Sequence, residues 1–352
     1  MKTSFQPDYR HIEAVMANRR PARLPLYEHL VNPESIEQIL GITFSDLLAS
    51  DDPGDLAEFF RLYCDFFKRM TFDTVSFEIC IGSFIGDHSA ICGGAGPIQT
   101  RDDFNNFPWE EIPGRFWKHA IPRFYALREV MPAGMKAIGG IGNGVFELAE
   151  AFTGLEYLPF MDADDPELHA ALYNKIGDLM HSIWSEFLKR YKNTYVACRF
   201  GDDLGFKSSL LTHPDVIRNN IIPQYRRIIN AVHNAGKPFL LHSCGNIFEV
   251  MDDFIDIGID AKHSNEDAIA PFQTWIDKYS SRIGLFGGFD LDFLCLKTPA
   301  DITASIAEKG ARYRATANGY ALGSGNSIPS YVPAGNFLAM VEGVQIIRKK
   351  EE

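Results

Sequence analysis

YVACRFGDDLGFKSSLLTHPDVIRNNIIPQYRRIINAVHNAGKPFLLH, residues 195–242, reads as a strand, a long helix and a second strand. The runs at 195–200 and 237–242 are short and apolar, which is typical of strands that are buried on both faces. Between them, residues 214–235 have the length and the mixed polarity of an amphipathic helix. A strand, a helix and a strand in this order predict two parallel strands of one sheet.

The same pattern repeats along the chain. Short apolar runs, each followed by a Gly-rich or polar turn, occur at 24–29, 72–79, 136–141, 195–200, 237–242, 259–263, 283–288 and 319–323. Eight strands that alternate with helices predict an α/β protein, a (β/α)8 TIM barrel with extra N-terminal helices. An open, doubly wound sheet is the alternative, but it would normally have a GxGxxG turn near its start. The nearest candidate, GGIGNG at 139–144, has its third glycine one place too early.

Helix boundaries have their own signals. Thr212, Asp165 and Thr298 are the predicted N-caps, the last two directly before a proline, and Gly236 is expected to end the helix at 214–235. The apolar face of the helix after Asp165 comprises Leu168, Leu172, Ile176, Leu179, Ile183 and Phe187. The other expected helices lie at 33–40, 55–69 and 331–349, with more in the long stretch 84–135 beside the barrel.

Composition and charge narrow the range of functions. The chain has 352 residues, 46% of them hydrophobic, and we expect 1–352 to form a single barrel domain. Its net charge of −12 repels phosphate backbones and anionic membranes, so no nucleic-acid or membrane partner is expected. Residues 1–20 contain no apolar signal segment, and the six cysteines form no CxxC pair. A soluble, cytoplasmic protein with free thiols is therefore expected.

The active site of a (β/α)8 barrel lies at the carboxyl ends of its strands. Many ionisable or polar side chains follow the eight predicted strands, and an inert scaffold would not need them there. In chain order they are Glu28, His29, Glu78, Cys80, Asn143, Arg199, Asp202, Asp203, His242, Cys244, His263, Glu266, Asp290, Ser324 and Asn326. We expect them to meet at one mouth. The glycine turn at 139–144, which contains Asn143, either approaches a ligand there or is a flexible loop.

The sharpest local motif is His242-Ser243-Cys244. Positions i and i+2 of an extended backbone point to the same side, so an imidazole and a thiolate placed there can bind one zinc ion. A catalytic zinc ion usually has three protein ligands and one open position. The alternative is a strand-end histidine whose partner is a neighbouring side chain, next to a small buried cysteine, and the motif alone leaves both interpretations open.

Two longer stretches resemble the uroporphyrinogen decarboxylase superfamily. They are GDDLGFKSSLLTHPDVIRNNIIPQYRRIINAVHNAGKPFLLHSCGN at 201–246 and YALGSGNSIPSYVPAGNFLAMVEGV at 320–344. The resemblance spans most of the chain and is strongest in its C-terminal half. It implies a (β/α)8 barrel, and the superfamily includes both the heme-pathway decarboxylase and a group of zinc-dependent, corrinoid-linked methyltransferases.

The decarboxylase branch matches poorly at two places. That enzyme has an arginine-rich signature directly after its first strand, which clamps substrate carboxylates, whereas this chain has LPLYEHLVNPES at 24–35, without arginine. It also has a histidine in the glycine turn after its last strand, whereas this chain has Gly323-Ser324-Gly325-Asn326. A metal-free carboxy-lyase is therefore the second hypothesis, and a non-catalytic barrel that binds a small molecule is the third.

The methyltransferase branch matches better. His242 and Cys244 correspond to its first two zinc ligands, and Ser324 stands where the third ligand of that branch is a cysteine. Serine is a far poorer zinc ligand, so the third ligand is expected elsewhere. The candidates are Glu78, His263, Glu266 and Cys295. Of these, His263 and Glu266 rank first because they belong to the strand next to that of His242.

This branch implies that zinc acts as a Lewis acid while a methyl group moves between a small-molecule substrate and a corrinoid. Glu78, Asp202 and Asp203 are the predicted catalytic residues, with helix capping or ordinary loop polarity as an equal alternative for the two aspartates. The residues expected to bind substrate are Glu28, His29, Asn143, Asp290 and Asn326. The DxHxxG motif of corrinoid domains has no match, so a separate protein would carry the corrinoid, and the family resemblance implies a homodimer.

Overall fold

A parallel, curled β-sheet organises the part of the chain that the computed structural model describes, residues 5–85 and 94–351. Its seven strands there are β1 (Thr74–Cys80), β2 (Lys136–Gly142), β3 (Tyr195–Gly201), β4 (Phe239–His242), β5 (Ala261–His263), β6 (Gly284–Phe289) and β7 (Tyr320–Ser324). Each strand pairs in parallel with the next strand of the chain, so the spatial order follows the sequence order. The fold is therefore α/β and TIM-like, as the alternating pattern predicted.

The segment at 24–29, expected as the first strand, lies beside β7. It forms a single parallel bridge, between Leu26 and Leu322, instead of a regular strand. Pro25 has no N–H to donate, which interrupts a regular ladder at this point. On the other side, the Ser76 hydroxyl of β1 donates to a backbone carbonyl of the same segment. The segment thus contacts both outer strands of the seven-stranded sheet.

Helices connect the strands and cover the outer face of the sheet. They are α1 (Arg10–Met16), α2 (Pro33–Leu40), α3 (Pro53–Arg69), α4 (Arg101–Asn106), α5 (Glu111–Val130), α6 (Val145–Thr153), α7 (Leu158–Asp164), α8 (Pro166–Tyr191), α9 (Pro214–Val216), α10 (Ile222–Asn234), α11 (Met251–Asp256), α12 (Phe272–Tyr279), α13 (Leu291–Leu296), α14 (Pro299–Ser305), α15 (Ala311–Thr316) and α16 (Ala334–Glu351). Short π-helical turns, Ile217–Ile221 and Ile306–Gly310, follow α9 and α14.

The expected helices at 33–40 and 55–69 are α2 and α3, and α4 and α5 belong to the extra helices expected in 84–135. Within that stretch, 86–93 lie outside the described residues. No helix in the described parts of the chain is long and apolar enough to cross a membrane.

Helix caps follow the predicted chemistry with one exception. The side chains of Asp165 and Thr298 each accept an N–H three residues further on, which confirms both as N-caps. The prediction that Thr212 is an N-cap was wrong, because the ring of His213 accepts an N–H of the first turn of α9 instead. Since Pro214 takes the first helical position, the cap falls on the residue directly before it.

Apolar side chains fill the interior of the sheet. This cluster comprises Tyr27, Ile138, Val196, Ala197, Leu240, Ala261, Phe286 and Ala321, together with Ile12, Val15 and Met16 of α1. Helix α1 lies at the amino ends of the strands, where a Cβ on Gly284 would come within 2.3 Å of the Val15 carbonyl oxygen. The amino end is therefore filled, which leaves the carboxyl ends of the strands as the place for a site.

The glycine-rich stretch at 139–144 owes two of its glycines to packing. Gly139 and Gly140 lie within β2 at φ values of 133° and 116°. A Cβ on Gly140 would lie 2.8 Å from the Phe187 ring of α8. A Cβ on Gly139 would lie 2.3 Å from the Phe77 carbonyl oxygen of β1. Close packing of α8 therefore explains Gly140 and the close approach of β1 explains Gly139, so that neither a ligand nor loop flexibility is needed.

Candidate functional site

Three buried imidazoles stack at the carboxyl ends of the strands. His29 ends the bridging segment, and His242 and His263 end β4 and β5 at paired positions. The ring centroids of His29 and His242 are 3.8 Å apart, and those of His242 and His263 are 5.0 Å apart. Neighbouring carboxyl ends of parallel strands share one edge of the sheet, which brings these distant residues together.

Hydrogen bonds join two of these rings to each other and one of the two to the backbone. Nδ1 of His242 lies 2.8 Å from Nδ1 of His263, and Nε2 of His263 lies 3.0 Å from the carbonyl oxygen of Ser324. Burial lowers the pKa of His263 to about 3 and the pKa of His242 well below its ordinary value. Both rings are therefore neutral near pH 7.

Cys244 lies on the other side of His242. Its Sγ is 3.5 Å from Nε2 of His242, and the Asn326 amide and the Ser264 hydroxyl donate to the same sulfur at 3.4 and 3.5 Å. The backbone N–H of Cys244 donates to Oδ1 of Asp203 at 2.9 Å, and this oxygen lies 4.0 Å from Nε2 of His242. Burial raises the pKa of the Cys244 thiol, so a positive partner is needed to form the thiolate.

Among residues 5–85 and 94–351, two overlapping groups of side chains have the donor atoms and the spacing for a metal ion. One group is His29, His242 and His263, and the other is Asp203, His242 and Cys244. Within each group the donor atoms all lie within 4.8 Å of one another. Imidazole nitrogen, thiolate sulfur and carboxylate oxygen are all zinc ligands, so the donor chemistry fits zinc. Of the predicted ligands, His263 therefore belongs to the first group, Cys244 to the second, and His242 to both.

The polar atoms of Ser324 form hydrogen bonds within the protein. Its N–H donates to Oε1 of Glu28 at 2.9 Å, and its hydroxyl is hydrogen-bonded to Oε2 of the same carboxyl. The hydroxyl also donates to the carbonyl oxygen of Asn326 at 2.7 Å. Burial raises the pKa of Glu28 to about 8, so at pH 7 its carboxyl is neutral and can donate to the Ser324 hydroxyl. Ser324 belongs to neither metal group among the described residues.

Glu78 is held by a buried arginine. Nε and Nη2 of Arg199 donate to Oε2 of Glu78 at 3.1 and 2.7 Å, and Nη1 donates to the Tyr27 hydroxyl at 2.8 Å. The other carboxylate oxygen of Glu78 lies 3.8 Å from Nε2 of His29. Nδ1 of His29 is buried and has no hydrogen-bond partner among the described residues. A polar atom in this state is expected to meet a ligand or water.

Asp202 caps helix α6. Its carboxylate accepts the N–H groups of Phe146 and Glu147 at 3.0 and 2.8 Å, and the Tyr225 hydroxyl donates to it at 2.7 Å. A Cβ on Gly144 would come within 2.1 Å of the Asp202 side chain, which explains that glycine. Burial raises the pKa of Asp202 to about 6, against the lowering effect of these hydrogen bonds. These contacts are those of a helix cap, the alternative that the sequence left open.

Glu147 is a partly buried acid that the sequence did not identify. The Asn143 amide donates to it at 2.9 Å, and the N–H of Asp203 donates to it at 3.3 Å. Burial, and then the charges of Asp202 and Asp203, raise the pKa of Glu147 well above its ordinary value. Burial also raises the pKa of Glu150, one turn further on, to about 8. In the sequence, both glutamates fit an ordinary helix pattern. The one signal that could have identified them is their place in α6, which starts directly after β2.

Lys262 is another buried residue that the sequence did not identify. Its ammonium group lies 3.8 Å from the centroid of the Trp275 ring and donates to the carbonyl oxygen of Ser264. Burial lowers the pKa of Lys262 to about 7. The contact holds Ser264 at a φ of 93°, a conformation from which its hydroxyl reaches the sulfur of Cys244.

The remaining predicted residues lie around the rim. Asn143 has a φ of 66°, and its side-chain oxygen accepts the N–H of Gly82 at 2.9 Å. Asp290 caps α13 and also accepts an N–H from the loop after β5, at 2.6 Å. Glu266 and Cys295 are partly exposed, on that loop and on α13. Neither residue belongs to a metal group of the described residues.

Comparisons with known proteins identify relatives of this fold. A family model described as uroporphyrinogen decarboxylase (URO-D) matches residues 125–346. Among solved structures, a methyltransferase from Methanosarcina mazei matches with a TM-score of 0.74 at 14% identity, over 95% of this chain and 97% of that chain. Xylanase B from Clostridium stercorarium F9 matches with a TM-score of 0.42 at 11% identity, over 76% of this chain and 95% of that one. A search of curated proteins found no match.

Proposed function

This chain belongs to the uroporphyrinogen decarboxylase family, and we propose that within it the protein is a zinc-dependent methyltransferase. It would move a methyl group between a small substrate and a corrinoid carried by a separate protein. The observation that carries the proposal is the convergence of Nε2 of His242 and Sγ of Cys244, which are 3.5 Å apart. The fold shared with a methyltransferase is consistent with this activity.

Zinc bound at this point would act as a Lewis acid, lowering the pKa of a substrate thiol or polarising a methoxy or methylamine group. Neighbouring residues keep the two metal-donor atoms, the His242 nitrogen and the Cys244 sulfur, in the form that binds zinc. Because burial keeps His242 neutral near pH 7, its ring offers a lone pair for the metal. The hydrogen bonds from Ser264 and Asn326 to Sγ stabilise the thiolate form of Cys244.

The substrate is proposed to lie beside His29. The buried Nδ1 of this ring has no partner among the described residues, so a substrate hydroxyl, amine or thiol would satisfy it. Glu78, which Arg199 fixes in place, orients the ring from the Nε2 side at 3.8 Å. Asn326 would contribute to substrate binding beside the sulfur of Cys244, to which its amide donates.

Proton transfer is proposed to involve Glu147 rather than Asp202. Asp202 is occupied as the cap of α6, whereas burial raises the pKa of Glu147 well above its ordinary value, which favours a carboxyl that can give up a proton. Glu147 accepts the N–H of Asp203, so its carboxyl lies next to the residue whose carboxylate faces His242. Glu28 and Asp290 were expected to bind substrate. Instead, Glu28 is hydrogen-bonded to Ser324, and Asp290 accepts two backbone N–H groups.

A metal-free carboxy-lyase is the second candidate, because the matching family model is named for a decarboxylase. Recognition of a carboxylated substrate needs free cationic donors at the mouth. Arg199 is fully buried, and Glu78, Tyr27 and the backbone carbonyl of His29 accept its hydrogen bonds. A mouth with Glu78 and Asp203 would also repel a polycarboxylate, so the methyltransferase is favoured.

The proposal extends to the organisation of the protein. We propose that 24–29 acts as an eighth strand that closes the sheet into a barrel, and that 1–352 form one domain. A small-molecule substrate and a corrinoid protein are the proposed partners, in the cytoplasm. A homodimer is proposed on the family resemblance.

Methylcobalamin and a simple thiol provide a direct test with the purified protein. We expect the absorbance of methylcobalamin to decay at a rate proportional to enzyme concentration. His242→Ala should abolish this activity, and Cys295→Ser, a matched cysteine variant on α13, should retain it. A series of carboxylated substrates tests the alternative, because CO2 release that needs no corrinoid and survives in His242→Ala would contradict the proposal.

A further inference from the structure

His242 is shared by the two metal groups but cannot serve both at once. Its Nδ1 faces His263, at 2.8 Å, and its Nε2 faces Cys244, at 3.5 Å. A neutral imidazole has one N–H and one bare nitrogen, and only the bare nitrogen binds a metal. The position of one proton therefore decides which group can hold the ion.

The backbone fixes the proton on His263. A carbonyl oxygen can only accept, so the 3.0 Å contact between Nε2 of His263 and the oxygen of Ser324 requires an N–H on Nε2. The ring of His263 is fully buried and forms no ion pair with a carboxylate among the described residues, so it holds a single proton, and its Nδ1 is bare and can only accept. This ring is therefore an acceptor towards His242.

The same reasoning then fixes the proton on His242. The 2.8 Å contact between the two Nδ1 atoms needs one proton, which must lie on His242 because Nδ1 of His263 is the acceptor. With that proton on Nδ1, Nε2 is the ring nitrogen of His242 that remains for a metal ion. The lone pair of His242 is therefore directed towards Cys244 and Asp203, away from His263.

We propose that Asp203 is the third protein ligand of the zinc ion, beside Nε2 of His242 and Sγ of Cys244, and that His263 is a positioning residue. This inference rests on the proposed function, since it presupposes a zinc site at His242 and Cys244. It excludes the group of His29, His242 and His263 as the metal site. Metal-ligating histidines commonly donate their second N–H to a neighbouring acceptor, which is the arrangement between His242 and His263.

The distances fit a tetrahedral ion. From zinc bond lengths of about 2.0–2.3 Å, nitrogen and sulfur ligands should lie about 3.6 Å apart and nitrogen and oxygen ligands about 3.4 Å apart. The observed separations from Nε2 of His242 are 3.5 Å to Sγ of Cys244 and 4.0 Å to Oδ1 of Asp203. A shift of about 0.6 Å of one carboxylate oxygen would complete the set.

Asp203 also leaves room for a substrate. Its side chain is 47% exposed, whereas that of His242 is 6% exposed. The N–H of Cys244 holds Oδ1 of Asp203 at 2.9 Å, so the carboxylate is oriented before any ion arrives. Three protein ligands with one side open to solvent are the arrangement of a catalytic zinc site.

Nitrogen NMR of the metal-free protein tests the proton positions without any zinc. In protein labelled with 15N at histidine, long-range 1H–15N spectra distinguish the two neutral tautomers, and His242→Gln and His263→Gln assign the two rings. We expect the Nδ1–H form for His242 and the Nε2–H form for His263. An Nε2–H form of His242 would overturn the inference, whether or not the protein is a methyltransferase.

Zinc affinity tests the ligand set, measured by competition with a chromophoric chelator. We expect Asp203→Asn to weaken zinc binding by about 10- to 100-fold or more, while His29→Gln and Glu266→Gln stay within about threefold of the wild type. Loss of affinity in His29→Gln with none in Asp203→Asn would overturn the inference and leave the zinc function standing. A wild type that binds no zinc would overturn both.

Two variants of His263 test its positioning role. His263→Leu removes the acceptor for Nδ1–H of His242, and we expect about 10- to 100-fold weaker zinc binding. In His263→Gln the side-chain oxygen can accept from His242 and the amide can donate to Ser324, so most of the affinity should return. X-ray absorption should show one sulfur ligand in both variants. Equal affinity in His263→Leu and the wild type would overturn the positioning role.

Discussion

The N–H of Ser324, at the end of β7, donates to the buried carboxyl of Glu28 at 2.9 Å. The serine hydroxyl is hydrogen-bonded to the second oxygen of the same carboxyl. A thiol is a much weaker donor and acceptor than a hydroxyl, so a cysteine would serve Glu28 poorly. Ser324, at the position where the resemblance to zinc methyltransferases places a cysteine, is thus engaged by Glu28, and the proposed zinc site would take its third ligand from another residue.

Glu28 should make stability depend on pH. Burial raises its pKa from 4.5 to about 8, so the folded state holds the proton more tightly than the unfolded state. The contribution to stability is full below pH 4.5 and is lost as the pH rises through about 8. Glu28→Gln mimics the neutral carboxyl, and its free energy of unfolding in urea should equal that of the wild type at low pH. At higher pH it should exceed the wild type by roughly 2–4 kcal/mol.

The control for this prediction is Glu167→Gln, whose side chain is 91% exposed. Its free energy of unfolding should follow that of the wild type at both pH values. A Glu28→Gln variant that loses as much stability as the wild type between low and high pH would contradict the neutral state of this carboxyl.

Asp202 should matter for stability as the cap of α6. Asp202→Ala leaves two buried N–H groups and the Tyr225 hydroxyl without their acceptor, and we expect a loss of about 2–4 kcal/mol in urea unfolding. Asp165→Ala is the control, because this cap of α8 is partly exposed, accepts one helical N–H and, in the described part of the chain, otherwise pairs only with the half-exposed Arg101. It should cost about 1 kcal/mol. A smaller loss in Asp202→Ala than in Asp165→Ala would contradict the capping role.

Gly140 should not tolerate a side chain. In Gly140→Ala the new Cβ would lie 2.8 Å from the Phe187 ring, at a φ of 116° that alanine rarely adopts. Backbone strain and overpacking together should cost about 3 kcal/mol or more. Gly236→Ala, at a φ of 73° with no atom within 4 Å of its Cβ, should cost about 1 kcal/mol. Equal melting temperatures of the two variants would show that helix packing does not explain Gly140.

The fold could be predicted because its strands are short apolar runs between a filled interior and a layer of helices. The run expected at 136–141, for example, is the strand Lys136–Gly142. The exceptions depend on prolines. Pro25 interrupts the first strand, and the closing helix begins at Ala334 instead of at 331 because Pro333 disfavours helical backbone at the residue before it.

The site could be predicted only where neighbours in the chain are also neighbours in space. His242 and Cys244 are two residues apart in an extended segment, so their proximity follows from the sequence alone. His29 stacks on His242 at 3.8 Å because of the order and register of the strands, which the sequence does not state. Glu147, a partly buried acid, and Lys262, a buried base, lie inside ordinary helix and strand patterns, whose periodicity indicates a face but not its partners.

Metal content tests the central claim most directly. The protein would be purified without added metal or chelator, and its zinc would be measured by elemental analysis beside a His242→Ala/Cys244→Ala double variant, with circular dichroism to compare their folding. We predict about one zinc ion per chain in the wild type and almost none in the folded double variant. A folded wild type without zinc, or a double variant that keeps its zinc, would contradict a zinc site at His242 and Cys244.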